Sequence, residues 1–278
     1  MAHFAEASRA KHKPVLLKES IDALDLEEGE VFFDGTYGAG GHTREVKARW
    51  KDKVETIAID QDPEAGVVTS NFRDLDLVLK DKKVDAILFD LGISSDQLED
   101  SGRGFSFLKD EPLDMRMSNE GITAAEILNS WSEVAIELVL RGFGEEKNPR
   151  RIAHEIAERR KKKPFVTTFD LTEVVGRRTG KTHPATKTFQ ALRIATNEEL
   201  AALEIGLEKA FESLRPGGRL VVISFHSLED RIVKNFFRDR TKEGRAEQIT
   251  KKPIRPSQEE VKENPRSRSA KLRVIEKI

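Results

Sequence analysis

Three carboxylates stand at the ends of three short apolar runs: Asp34 closes VFFD, Asp60 closes TIAID and Asp90 closes AILFD. The first is followed by DGTYGAGGHT, residues 34–43, which holds four glycines in ten residues. Strand, Gly-rich turn and helix start make the first unit of a nucleotide-binding α/β sheet. The acid at its front discriminates between ligands. A pyrophosphate seated over the glycines and the helix N-terminus would be repelled by Asp34. The glycines at 35, 38, 40 and 41 also do not spell G-x-G-x-x-G. S-adenosylmethionine fits better: it has a ribose and an adenine, a sulfonium and an ammonium, and no phosphate. Glycines let the backbone approach it closely, Asp34 would face its cationic end, and Asp60 lies about 20 residues past the glycines, where such folds hold ribose hydroxyls. The bland alternative is a tight turn with helix-capping acids, and acids on successive strand ends weigh against it.

The elements that position these residues follow from periodicity. Strands are expected at 31–34, 54–60 and 84–90, and a later one at 218–225 after a Pro-Gly-Gly turn. A helix begins after the glycines, with Thr43 as its cap and Val46 and Trp50 on one face. Helical patterns separate the strands, so a mostly parallel sheet is expected. The alternation then breaks. Residues 123–140 read as one helix with Ile127, Leu128, Trp131, Val134 and Leu138 on its apolar face. A basic helix ends before Pro164, and a third covers TTFDLTEVV. Residues 187–214 read as one helix or two, with a capping box at Thr196 and Glu199 favouring two. The fold class is therefore α/β: a Rossmann-like sheet of 1–113 and 196–278 that binds S-adenosylmethionine, with an all-helical insertion, 114–195, for substrate recognition.

Composition narrows the function. The 278 residues carry a net charge of −1, no cysteine and 37% hydrophobic residues. There is no thiol nucleophile and no Cys-based metal site. No apolar run approaches the ~18–20 residues of a membrane span, and a cytoplasmic protein is expected. The basic residues are sorted along the chain. Lys147, Arg150, Arg151, Arg159, Arg160, Lys161, Lys162 and Lys163 face only Glu155 and Glu158, and Arg177, Arg178, Lys181, Lys187 and Arg193 face no acid between 176 and 193. Basic faces beside a catalytic sheet point to a polyanion, nucleic acid first.

HKPVLLKE, DGTYGAGGHT, DLGISSDQL, GRGFSF, PLDMRMS, HPATKTFQALRIATNEEL, PGGRLVVISFHSLEDRIVK and NPRSRSAKLRV follow in order from residue 12 to 274. This ordered set resembles the bacterial 16S rRNA (cytosine-N4) methyltransferase family. The resemblance implies a class I S-adenosylmethionine-dependent fold with a helical insertion. It implies methyl transfer to the exocyclic amine of a P-site cytosine in small-subunit rRNA. Carried over by motif position, the cofactor contacts are Gly40, Gly41, His42, Asp60, Phe72, Asp90 and Gln97. The chain departs from the family pattern in three places. It is short between Asp60 and Val84, which bears on Phe72. It is short and Cys-free after FFR, and it has Ser118 where an acid is expected.

The absence of cysteine also excludes the usual covalent route to C5 methylation. An amine acceptor needs no covalent intermediate. It needs hydrogen-bond acceptors at about 3 Å and in-line positioning. Asp90, Ser94 and Ser95 in DLGISS are the catalytic candidates. His226 at the end of the fourth strand either faces the site or serves the helix that Ser227 and Asp230 would cap. Asp114 and Arg116 read as a local ion pair. A small-molecule methyltransferase and a non-catalytic RNA-binding factor are the competing classes. The basic segments argue against the first, and Asp60 with the intact glycine loop against the second.

Overall fold

The computed structural model describes residues 14–94, 97–98, 101–176 and 183–278. Its chain forms two compact units, Met1–Gly92 with Leu200–Ile278, and Ile93–Glu199. The first is built on seven strands: β1 (Val31–Asp34), β2 (Glu55–Asp60), β3 (Val68–Thr69), β4 (Val84–Asp90), β5 (Leu214–Ser224), β6 (Ala246–Gln248) and β7 (Lys271–Lys277). Their order is β3-β2-β1-β4-β5-β7-β6. The strands from β3 to β5 are parallel, and β7 and β6 are antiparallel additions. The period-2 rule assigns the faces. Phe33, Ile87, Phe89, Leu220 and Val222 pack on one side with Leu203, Leu207 and Phe211 of the helix Glu199–Ser213. Phe32, Ala86, Leu88, Val221 and Ile223 pack on the other with Val46 and Ile21. With both faces covered, β1 and the end of β4 are buried apolar runs.

The Pro-Gly-Gly segment lies inside β5. Val84 pairs with Leu214 and Ala86 with Arg219, so residues 215–218 bulge opposite Asp85. Asp85 accepts from the Val31 amide at 2.8 Å and from Arg215 at 2.9 Å, which ties the bulge to the start of β1.

The second unit is helical around its own core. Its boundaries fall at 92/93 and 199/200, against 113/114 and 195/196 expected from sequence. Phe105 and Leu113 explain the early start, because they are buried with Ile127, Ile156 and Phe189. Residues 123–140 are two helices, Ala124–Ser130 and Glu133–Gly142. Ser132 caps the second, accepting from the Ala135 amide at 3.1 Å. The break shifts the helical phase. Ile136, Val139 and Leu140 turn inward, while Val134 and Leu138, expected in the core, are 67% and 56% exposed. The helix Pro149–Lys162 has Pro149 in its first turn, and the next runs Thr168–Val175. Two helices follow, Ala185–Asn197 and Glu199–Ser213. They part at Glu198 in the left-handed region (φ 50°), and Thr196 lies within the first instead of capping the second. Among the described residues, no helix is long and apolar enough to cross a membrane.

Candidate active site

The carboxyl edge of the parallel strands brings the three acids together with the glycine loop. β1 pairs with both β2 and β4, with Asp34 opposite Ala58 and Leu88. The loop is stitched to both neighbours: Gly35 N–H donates to Leu88 O and Tyr37 N–H to Ile59 O, each at 3.0 Å. Two glycines are dictated by space. A Cβ on Gly35 would lie 2.4 Å from the Phe89 ring, and one on Gly41 would lie 2.1 Å from Pro14. The helix Gly41–Trp50 starts at once, with Gly40 as its N-cap at φ 74°.

Asp34 does not present its carboxylate to a ligand, as its sequence position suggested. It is 1% exposed. One oxygen accepts the Thr43 hydroxyl at 2.6 Å and the other the Thr36 amide at 3.1 Å. Thr43 therefore fastens the helix to β1 and is not its cap. Burial, opposed by these two hydrogen bonds, pushes the Asp34 carboxyl up to about 6. Asp34 sets the shape of the turn and contributes charge from behind it.

Asp60 is partly exposed and holds the turn from the β2 side. Its oxygens accept from Gly38 N–H at 2.7 Å and Asp62 N–H at 2.8 Å. The Gln61 amide also bonds to this carboxylate, and of the roughly four lone-pair sites of a carboxylate one is left to which a hydroxyl can donate. Burial raises its pKa above the ordinary carboxylate value. Phe72 rests on Phe89, with centroids 4.8 Å apart, and covers Gly206, where a Cβ would meet its ring at 2.5 Å. Its Cβ is also 3.3 Å from the place of a Gly35 Cβ, so the NF motif does put it beside the loop.

Asp90 differs from the other two. Its amide donates to the Thr36 hydroxyl at 2.6 Å, which fixes its backbone against the loop. Its side-chain Oδ1 is buried with no hydrogen-bond partner. Oδ2 lies 3.8 Å from His42 Nδ1, too far for a hydrogen bond. His42 Nε2 lies 3.2 Å from the Val15 carbonyl, an acceptor only, so the proton sits on Nε2 and Nδ1 turns a lone pair towards Asp90. Burial lowers the His42 pKa to about 4, which keeps the ring neutral. Burial, with Asp34 and Glu229 nearby, pushes the Asp90 carboxyl up to about 8. The edge thus carries two carboxyls raised by burial, one of them with an unpaired buried oxygen.

Ser94 and Gln97 belong to the helical unit and bond to each other. Ser94 N–H donates to Gln97 Oε1 at 3.0 Å, and Gln97 N–H to Ser94 Oγ at 3.1 Å. Ser95, the third catalytic candidate, lies outside the described residues. His226 turns out to be the cap of the helix Ser227–Lys242: its side chain accepts from the Glu229 amide, and the Glu229 carboxylate accepts from the His226 amide at 3.2 Å. Asp230, expected to share the capping, instead pairs with Lys271 and Arg273 of β7 at 2.9 and 2.8 Å. The reciprocal spacing from His226 to Glu229 is the signal that sequence reading passed over, because histidine is not among the usual caps.

Comparison with known proteins places nearly the whole chain. Residues 9–278 match the MraW methylase family. The chain belongs to that family. A protein of Neorickettsia sennetsu named ribosomal RNA small subunit methyltransferase H is 47% identical over 285 residues, covering 96% of each chain. One of the same name from Heliobacterium mobile is 44% identical, covering 96% of this chain and 99% of that one. Among solved structures, an rRNA methylase from Streptococcus thermophilus aligns with 94% of this chain and 93% of its own at 10% identity, with a TM-score of 0.43. This member of the MraW methylase family is an S-adenosylmethionine-dependent methyltransferase. The site fits that cofactor: the Asp34 and Asp90 carboxyls, both raised by burial and the second with an unpaired oxygen, suit a cationic ligand and not a phosphate. Gly40 and Gly41 lack side chains because Tyr37 and Pro14 occupy that space, where a Cβ would lie 2.4 and 2.1 Å from them.

The basic residues divide by their partners. Arg159 pairs with Asp170, donates to Lys163 O and Pro164 O, and lies over the Phe165 ring at 4.4 Å. Arg160 donates to Leu128 O and Trp131 O at 2.9 and 2.6 Å and so closes the end of the helix Ala124–Ser130. Both hold the helical unit together. Lys163 also reaches Asp170, at 3.0 Å, from an exposed position. Lys147, Arg150, Arg151, Lys161 and Lys162 are exposed, with Arg151 bonded to Glu155 and Lys161 to Glu158. Asp114 and Arg116 form the expected local pair, bonded twice at 2.7 and 2.8 Å. Arg177 and Arg178 lie outside the described residues.

Proposed function

We propose that this chain methylates the exocyclic N4 amine of a cytosine in the 16S rRNA of the small ribosomal subunit, in the cytoplasm. Asp90 would receive the proton that the amine loses. The observation that carries the reading is the unpaired, buried Asp90 Oδ1 at the carboxyl edge of the sheet, beside the glycine loop. The ribosomal substrate rests on the family and on the names of the relatives. The exposed basic residues of the helical unit support it, and that unit would recognise the RNA.

S-adenosylmethionine supplies an electrophilic methyl group on a sulfonium. The cytosine N4 lone pair is delocalised into the ring, so the protein has to orient the amine and accept a proton as positive charge grows on nitrogen. A cation in the site favours the ionised form of Asp90. Once the positive charge has moved to the amine nitrogen, burial and the nearby Asp34 and Glu229 again favour the protonated carboxyl, and the proton passes to Oδ1. Oδ1 is the buried oxygen of Asp90 and is screened from water that would compete for the proton. Asp34 and Thr36 fix the geometry: Thr36 binds the Asp34 carboxylate with its amide and the Asp90 amide with its hydroxyl.

Single-turnover methylation of purified small subunits at saturating cofactor tests this. Asp90→Asn keeps size and one acceptor but no basic oxygen. The expected fall is roughly 10²-fold or more, ~2.7 kcal/mol in barrier, with RNA affinity unchanged because that comes mainly from phosphate contacts. A near-normal rate would confine Asp90 to holding the cofactor.

A further inference from the structure

One feature of the helical unit has no part in the reaction above. The Phe107 and His183 rings are stacked, with centroids 4.5 Å apart and planes 11° from parallel. Phe189, 4% exposed, packs its ring edge-on to Phe107 at 5.5 Å and anchors the pair in the core. Phe107 and His183 themselves are partly exposed. The histidine is held from two directions. Phe107 covers one face, and Nδ1 accepts the Ala185 amide at 3.2 Å at the start of the helix Ala185–Asn197. Accepting there puts the proton of the neutral ring on Nε2. The ring is held in place yet keeps part of its surface exposed. A flat ring, fixed in place and partly exposed, is the chemistry by which proteins hold an unstacked base.

We propose that the Phe107–His183 stack is a platform for an unpaired nucleobase of the RNA substrate, the base lying against the exposed part of the His183 ring. The inference rests on the RNA reading of the preceding subsection and adds a site to it. A purely structural stack would serve only to cap the helix Ala185–Asn197, and two substitutions separate the roles. His183→Asn keeps an acceptor for the Ala185 amide, asparagine being a good cap, and removes the ring. His183→Phe keeps a ring on Phe107 and removes the acceptor.

The probe is a labelled 12-nucleotide oligouridine with one central adenosine, compared with the same strand carrying an abasic site there. Affinities are read by fluorescence anisotropy with the full chain. Wild type should prefer the adenosine strand by roughly 5- to 100-fold, the range that stacking of one base on an aromatic ring supports. His183→Asn should lose most of that preference and keep its affinity for the abasic strand, which depends on phosphates. His183→Phe should keep the preference. A His183→Asn protein that discriminates as wild type does, or a His183→Phe protein that fails as His183→Asn is expected to, would overturn the platform. Methylation of small subunits by wild type is run alongside. If it fails while the base preference persists, the ribosomal reading is wrong and the platform stands. If it succeeds while the preference is absent, the platform is wrong and the ribosomal reading stands.

Discussion

Cofactor binding should release a proton from Asp90, and the size of that effect follows from the site. In the ligand-free chain the Asp90 carboxyl sits near 8, raised by burial first and then by Asp34 and Glu229. At pH 7 a group with that pKa is about 0.9 protonated. A sulfonium beside it favours the carboxylate, so binding S-adenosylmethionine at pH 7 should release up to about 0.9 proton from this site. Affinity must then fall as pH falls. With the bound-state pKa well below 6, the loss between pH 8 and pH 6 is about 50-fold, or ~2.3 kcal/mol. His42, which faces Asp90, stays neutral across this range, since burial holds it near 4. Asp34, near 6, adds to the loss only at the acid end. The ligand's own amino group titrates alike in both proteins, so the difference between wild type and Asp90→Asn isolates the carboxyl. Calorimetry in two buffers of different ionisation enthalpy counts the protons, and titrations from pH 6 to 8 give the slope. Identical proton counts and slopes in the two proteins would show that Asp90 is already ionised in the free enzyme, and the proton-acceptor argument would lose its physical basis.

Further outcomes follow from other contacts. The raised Asp90 pKa is a stability contribution that is full below the unfolded carboxylate value near 4 and lost as pH rises towards 8. Asp90→Asn should therefore raise the ligand-free melting temperature at pH 8 and leave it little changed at pH 4, as scanning calorimetry would show. Asp60→Ala should weaken S-adenosylmethionine binding by ~1–3 kcal/mol, because a ribose partner and two loop contacts go together. Unchanged affinity in a folded variant would remove Asp60 from the ribose. Replacing Lys161 and Lys162 by alanine should flatten the salt dependence of RNA binding by roughly 0.7–0.9 per lost phosphate contact, with cofactor affinity untouched. An unaltered slope makes that run a solvated helix face. Arg159→Ala should instead destabilise the chain by roughly 1–3 kcal/mol, since Asp170, 6% exposed, loses a half-buried charged partner but keeps Lys163 and the Val166 and Thr167 amides. Denaturant melts distinguish that from a binding defect.

Much of the architecture was legible in the sequence because it depends on local pattern. The acids at 34, 60 and 90 close apolar runs, and runs buried on both faces form parallel strands, so a common carboxyl edge follows without coordinates. The four glycines and the spacing to Asp60 predict a tight loop beside that acid, and the Gly38 amide does bond to it. The ordered motifs carry the family. What pattern did not decide was which partner each charge meets. Asp34 looked like a ligand contact, and the fold spends it on Thr36 and Thr43, because the turn returns the helix over the end of β1. Arg159 and Arg160 looked like part of an RNA-binding run, and the fold points them at Asp170 and at the carbonyls of a neighbouring helix end. The helix break at Trp131 and Ser132 is local in cause, yet it moved Val134 and Leu138 from the expected core to the surface by shifting the phase. Asp90 shows the division most clearly. Its place on a strand end is written in the chain. Its unpaired oxygen and raised pKa exist only because packing removes water from it and brings Asp34 and Glu229 near, and ionisation responds to everything within a few ångströms regardless of distance along the sequence.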